Sequence, residues 1–311
     1  MKVLFYTGKG GVGKSTMAAE TAWQLSEKYR VLIVSLDPAH NLGDLYGIEL
    51  GRERFRFKEN LYLQEIDVTE RSRSHLQQEI KTLSQTYSYL QTLNLDAYFS
   101  ILKYSPGLEE YTLISSIEET IASGSEFDYI VFDTPPTGLT LRFLALPQVT
   151  LAWLERLIEV RRQILKKRHT IRQIRGNPPE SGGEGETVLD FDEGEDKVLK
   201  RLLALDEKYQ ALNRTLQGDL CTIALVFNAD FLSFRESERL VKGLKELKLP
   251  LRLLIHNKFG QVGGKQDMNI DDSMRKLVNG LPLERVPFED VLHHGANGRP
   301  GHIPQNIISN L

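Results

Sequence analysis

Residues Gly8 to Thr16 read GKGGVGKST, and the residue types in that run suit one kind of chemistry, the binding of phosphate. Successive glycines let the backbone curl so that its N–H groups converge on phosphate oxygens, and the start of a following helix adds positive potential. The spacing G-x-x-x-x-G-K-[ST] is met by Gly8, Gly13, Lys14 and Ser15. Lys14 is then the side chain that reaches the β- and γ-phosphates, and Ser15 offers its hydroxyl to Mg²⁺. A second cation, Lys9, stands on the other limb of the loop, where simple nucleotide-binding loops do not require one. The same letters also satisfy G-x-G-x-x-G through Gly8, Gly10 and Gly13, with Asp37 about 24 residues further on, as a dinucleotide fold would have it. Lys14-Ser15 separates the two readings. A pyrophosphate resting on a helix end needs no lysine there, whereas a transferable γ-phosphate with a metal uses both groups.

Two further acids follow apolar runs. Asp37 opens DPAHNLGD directly after the run Val31 to Leu36, and an acid there can hold or polarise a water beside a γ-phosphate. Asn41 in the same loop is a second candidate contact. Asp133, in FDTPPTGLTLRFLALP, is the natural carboxylate on the Mg²⁺ side, and the proline pair with Gly138 predicts a loop after it that senses the γ-phosphate. The plain alternative for either acid is an aspartate that merely ends a strand before a turn.

The elements that must position these residues are readable as runs. Val3 to Tyr6, Val31 to Leu36, Leu61 to Ile66, Tyr129 to Phe132, Thr222 to Phe227 and Leu251 to Ile255 are short and apolar, and several lack the alternation of a half-wet strand. A mostly parallel sheet covered on both faces is expected, with crossover helices such as Thr16 to Tyr29 and Phe234 to Leu247. The fold class is therefore α/β, doubly wound, of the P-loop NTPase type. All 311 residues read as a single such domain with helical insertions at about 70–123 and 148–216 and a mobile loop at about 175–195, where SGGEGE follows a proline pair. Leu151 to Leu165 carries an apolar stripe among charges, which suits either a helix covering a core or a groove for an apolar peptide or membrane surface.

Composition sets the bounds. Net charge is −3, with 41% apolar and 26% charged residues, so nothing pulls the whole chain toward nucleic acid, and no nucleic-acid partner is expected. One cysteine, Cys221, leaves neither a disulfide framework nor a thiolate zinc site within a chain. Adjacent histidines at 293 and 294, with His302, have no ligand spacing. With no leader pattern and no long apolar span, a cytoplasmic protein is expected.

GKGGVGKST, DPAHNLGD, the PGLEE at Pro106 to Glu110, DTPPTGLTLRFL and FLSFRESERL at Phe231 to Leu240 together resemble the arsenical-pump and tail-anchored-protein-targeting ATPase family, a deviant Walker A group within the signal-recognition-particle and Min-like class of P-loop NTPases. The resemblance runs across most of the chain in the right order. It implies a homodimer that closes around two ATP molecules with Mg²⁺ and couples hydrolysis to an apolar client protein or membrane-protein tail at the inserted helices, whose apolar residues, such as Leu90, Tyr98, Trp153 and Leu157, suit equally a client groove or the insertion's own core. It implies further that Lys9 reaches the partner's nucleotide, that Asp37 activates water, and that Gly8, Gly10, Gly11, Val12, Gly13, Lys14, Ser15 and Thr16 cradle the phosphates. Asn257 in IHNKFG matches the asparagine that recognises adenine, Asp230 lies where the family has a nucleotide-contacting glutamate, and Val286 to Gly295 resembles the adenine-side loop. The single cysteine departs from relatives that bind arsenite or clamp a dimer with zinc, so neither is expected. Two other classes share the features: a partition or placement ATPase acting on DNA or membrane, and a nucleotide-dependent switch that binds partner proteins.

Overall fold

A computed structural model of the chain describes residues 1–37, 41–51, 53–74, 76–77, 105–175, 193–288 and 304–309. The six apolar runs become strands because each is short and bounded by turn residues, and most are rich in β-branched or aromatic side chains. They are β1 (Lys2–Thr7), β2 (Val31–Ser35), β4 (Leu61–Glu65), β5 (Tyr129–Asp133), β6 (Cys221–Phe227) and β7 (Leu251–Phe259). Two more join at the edges, β3 (Phe55–Lys58) and β8 (Leu283–Pro287). The order across the sheet is β3-β4-β2-β5-β1-β6-β7-β8, parallel throughout except for the antiparallel β3–β4 pair. The expected doubly wound α/β sheet is thus the observed one.

Parallel strands buried on both faces explain the unbroken apolar runs. Leu4, Tyr6, Ile33, Val131, Ala224 and Val226 share one core with Met17, Ala18 and Ala22 of α1 (Lys14–Leu25) and with Leu42 and Tyr46 of α2 (Asn41–Tyr46). The alternate residues Val3, Phe5, Leu32, Val34, Ile130 and Phe132 are equally buried on the opposite face, where Phe5 and Phe132 stack at 4.9 Å. The remaining helices are α3 (Leu108–Ala122), α4 (Thr137–Arg175), α5 (Lys197–Gln217), α6 (Phe231–Glu246), α7 (Gly264–Val278) and α8 (Gln305–Ser309).

The chain divides into two units, residues 1–144 with 216–311, and residues 145–215. The first holds the sheet and α3, whose Leu113, Ile114 and Ile117 are buried. In the second, Ile158 and Leu165 pack on Leu199 and Leu202, and Asp196 caps α5 by accepting the Leu199 N–H. The heart of the first expected insertion and the loop expected near 175–195 lie largely outside the described residues, as do His293, His294 and His302.

One local expectation fails. No extended loop follows Asp133: after Thr134–Pro136 the chain enters α4 at Thr137, and the helix continues through Gly138 and Pro147. Prolines are tolerated where a helix begins because the first N–H groups have no partner in any case, so the pair initiates this helix. The Pro136 carbonyl accepts the Leu139 and Thr140 amides.

Candidate active site

The parallel strands aim their C-terminal ends at one edge, and the sequence motifs collect there. β1 hands over to the glycine run, which packs so closely that side chains are excluded at two positions. A Cβ on Gly8 would stand 2.1 Å from the Val226 carbonyl oxygen of β6, and one on Gly13 would stand 2.3 Å from Asn257 Nδ2. Gly13 has φ 94° and caps α1 without a side-chain hydrogen bond, which leaves the first N–H groups of α1 open to an anion. Lys14 is buried, and its Nζ donates to the Lys9 carbonyl at 3.2 Å. Burial lowers its pKa, and the carboxylates of Asp133, Asp37 and Glu236 pull the other way.

β5 lies between β1 and β2, in register so that Asp133 stands level with Tyr6 and Ser35. Asp133 is fully buried, and neither carboxylate oxygen has a donor in hydrogen-bond geometry. Burial pushes its pKa up to about 7; Ser15 and Lys14 pull it down, and Asp37 adds to the rise. The Ser15 hydroxyl therefore acts on the carboxylate from nearby while falling short of hydrogen-bond geometry. Two unsatisfied acid oxygens beside a hydroxyl and the phosphate loop fit a hard divalent cation that binds oxygen. Asp37 follows β2, half-buried and close enough to shift both Lys14 and Asp133.

Lys9 Nζ lies 3.2 Å from Asp230 Oδ1, an oxygen that also accepts the Ser233 amide at the start of α6. Both partners are partly exposed, so the pair adds little stability. Asn257 is fully buried: its Nδ2 donates to the Val12 carbonyl at 2.8 Å, and its Oδ1 accepts the Lys258 amide at 2.9 Å. Gly10 and Gly11 are exposed, Val12 is buried, and Thr16 is half-buried on the first turn of α1. Asn41 begins α2, and its side chain lies outside the described residues. The structure thus gathers the 8–16 loop, Asp37, Asp133, Asp230 and Asn257 at one edge.

Three neighbours escaped the sequence reading. Glu236 of α6 acts on Lys14 and accepts a hydrogen bond from Thr137. Lys258 reaches the Gly11 carbonyl at 3.5 Å. His256 is fully buried, 2.6 Å from Asp271 and 3.4 Å from Asp267. Glu236 sits mid-helix, where no strand-end pattern marks it, and His256 merely follows the apolar run Leu251 to Ile255.

Within the 145–215 unit, a groove of about 1200 Å³ lies along Leu151, Ile158, Leu165 and Leu203, with Glu155 and Arg162 at its polar parts. Leu154 and Ile158 face inward, while Trp153 is 67% exposed and Leu157 48%. Burial pushes the thiol of Cys221, in β6, up to about 12. Among the described residues no helix is long and apolar enough to cross a membrane.

Residues 1–268 match the anion-transporting ATPase family. The "Putative arsenical pump-driving ATPase 2" of Aquifex aeolicus is 29% identical over 260 residues, covering 83% of this chain and 80% of that protein. The ATPase get3 of Aspergillus terreus is 32% identical over 266 residues, covering 83% of this chain and 73% of its own. The ATPase GET3 of Blastomyces gilchristii is 31% identical over 264 residues, with the same coverages. The phosphate loop and the acids at the strand ends sit inside the matched span, and the chain belongs to the anion-transporting ATPase family and is an ATPase.

Proposed function

We propose that the chain is a Mg²⁺-dependent ATP hydrolase of the arsenical-pump and tail-anchored-protein-targeting type, which works in the cytoplasm as a homodimer and couples hydrolysis to binding and release of a client at its helical unit. The observation that carries this reading is the buried Asp133, raised to about 7 and without a donor, beside Ser15, Lys14 and Asp37. An acid left unsatisfied at such a place is best explained by a ligand that completes it. The sheet and its flanking helices form the ATPase domain in this reading, and 145–215 belongs to the helical insertion.

In the proposed reaction the N–H groups of Gly10 to Thr16 and the Lys14 ammonium hold the phosphate chain. Bound Mg²⁺ supplies Lewis-acid charge neutralisation, with Ser15 and Asp133 as the residues that would hold it. Asp37 orients water and accepts its proton as the water oxygen attacks the γ-phosphorus, the bond to the bridging oxygen breaks, and ADP and phosphate leave. Lys9 serves the second nucleotide of the dimer, which requires release of its pair with Asp230. By the same resemblance Asn257 contacts adenine and Asp230 the nucleotide, and Asn41, in the loop of Asp37, is a further nucleotide contact. Differential affinity of ATP and ADP for closed and open dimers supplies the drive. The exposed Trp153 and Leu157 support client binding at α4.

The test is steady-state ATP turnover with and without Mg²⁺ in the parent, Asp37→Asn and Lys9→Ala. Asp37→Asn is expected to lose about 100-fold in kcat with ATP still bound. Equal rates in parent and variant would remove Asp37 from this role. Lys9→Ala is expected to abolish ATP-driven self-association, and unchanged sedimentation with ATP would remove the role in trans.

A further inference from the structure

The end of β7 grips the phosphate loop from outside. Pairing of β7 with β8 shifts register between His256 and Phe259, and Lys258 takes a left-handed φ of 56°. A break of this kind re-aims the side chains around it. Here it turns two of them onto loop carbonyls, Asn257 onto Val12 and Lys258 onto Gly11. The orientation of the Asn257 amide is fixed from both sides, because its oxygen also accepts the Lys258 N–H. The strand behind it is anchored as well. His256 Nδ1 hydrogen-bonds Asp271 Oδ1 of α7, whose other oxygen accepts from Arg285 Nε of β8 at 2.7 Å.

The consequence follows from peptide geometry. In a trans peptide the C=O and the next N–H point in opposite directions, and no described bond is cis. Holding the Val12 carbonyl from the β7 side therefore turns the Gly13 N–H to the other side of the loop. Gly13 and Asn257 interlock so closely that any Cβ at residue 13 would collide with the amide nitrogen.

We propose that Asn257 is a positioning residue for the phosphate site: by holding the Val12 carbonyl it aims the Gly13 N–H at the phosphate chain and so sets affinity for any nucleoside triphosphate, whatever its base. This rests on the nucleotide reading above and assigns Asn257 work beyond the adenine contact that the resemblance implies. One N–H of the Asn257 amide holds the loop backbone, and its second N–H is left for any base contact, so the two tasks are separable.

The experiment compares the parent with Asn257→Asp and Asn257→Ala in calorimetric binding of Mg·ATP, Mg·GTP and magnesium tripolyphosphate, with thermal melts alongside. Asn257→Asp keeps the side-chain size and replaces the donor by an acceptor facing the Val12 oxygen. Both variants are expected to lose about tenfold or more in affinity for all three ligands, with the ratio of ATP to GTP binding retained. Tripolyphosphate affinity equal to that of the parent, or a loss confined to ATP, would overturn the inference and return Asn257 to base recognition alone. A parent that binds none of the three would overturn the nucleotide assignment itself, and this inference with it.

Discussion

Asp133 at the strand ends and Asp196 in the helical unit are both buried aspartates, and their surroundings are opposite. Asp196 is 1% exposed and saturated: Arg161 donates to both carboxylate oxygens, and the Leu199 amide donates to one. Its pKa is held below the usual range, first by the Arg161 hydrogen bond. Asp133 has no such donors and lies deep in the sheet, whereas Asp196 sits in a shallow site covered by its own partners, so for Asp133 burial wins and its pKa rises to about 7. A structural acid is placed where the protein itself satisfies it. An acid left wanting in a tightly packed interior marks a place where something else is meant to bind.

The comparison can be broken most sharply at Lys14. Lys14→Met removes the cation beside Asp133 and the proposed γ-phosphate ligand together, and ATP turnover is expected to fall about 1000-fold. A drop of only a few fold in a steady-state assay would separate the loop from catalysis. Asp133→Asn comes next, with effects of opposite sign on activity and stability. Turnover is expected to fall about 100-fold, with the Mg²⁺ requirement weakened. The nucleotide-free protein is expected to melt about 2 to 5 °C higher at pH 7, because an amide carries no charge into the interior. A lower melting temperature would contradict the account of its burial.

The two acids also differ in their response to pH. Between 3.8 and about 7 the folded chain keeps a proton on Asp133 that the unfolded chain has released, so the contribution of this group to stability falls as pH rises through that window. Asp196 has the opposite sign: its contribution is present above the unfolded value of 3.8 and is lost as pH falls through its lower folded value. Asp196→Ala should cost about 1 to 3 kcal/mol, through the lost partner of Arg161 and the lost cap of α5. Urea unfolding followed by a probe in the 145–215 unit measures it, and calorimetry should find ATP affinity retained. The smallest effect is expected at Trp153, 67% exposed on α4. Trp153→Ser should change stability by less than about 0.5 kcal/mol, and a larger loss in the same unfolding experiment would show that the side chain is part of the packing rather than a surface.

Much of the site was legible because phosphate chemistry constrains both residue type and spacing. Gly8 to Thr16 announce a loop wherever they occur, and Asp37 and Asp133 are marked by the apolar runs before them. The edge strands were less legible for a physical reason. β3 is half-exposed and β8 carries charged residues, so neither shows the continuous apolar run of a strand buried on both faces. The loop expected after Asp133 failed because prolines act as breakers inside helices but serve well at their beginnings, and pattern alone does not say which position they hold.

Sequence by itself fixed the phosphate loop, the doubly wound sheet and the acids that would stand at its edge, since local chemistry and periodicity suffice for these. Tertiary structure alone decided that both oxygens of Asp133 are left without a donor among the described residues, that Glu236 lies near enough to act on Lys14, and that Asn257 holds the Val12 carbonyl across 245 residues of chain. Those facts depend on strand order and on a register break between β7 and β8, and such pairings between distant segments leave no periodicity in the chain that makes them.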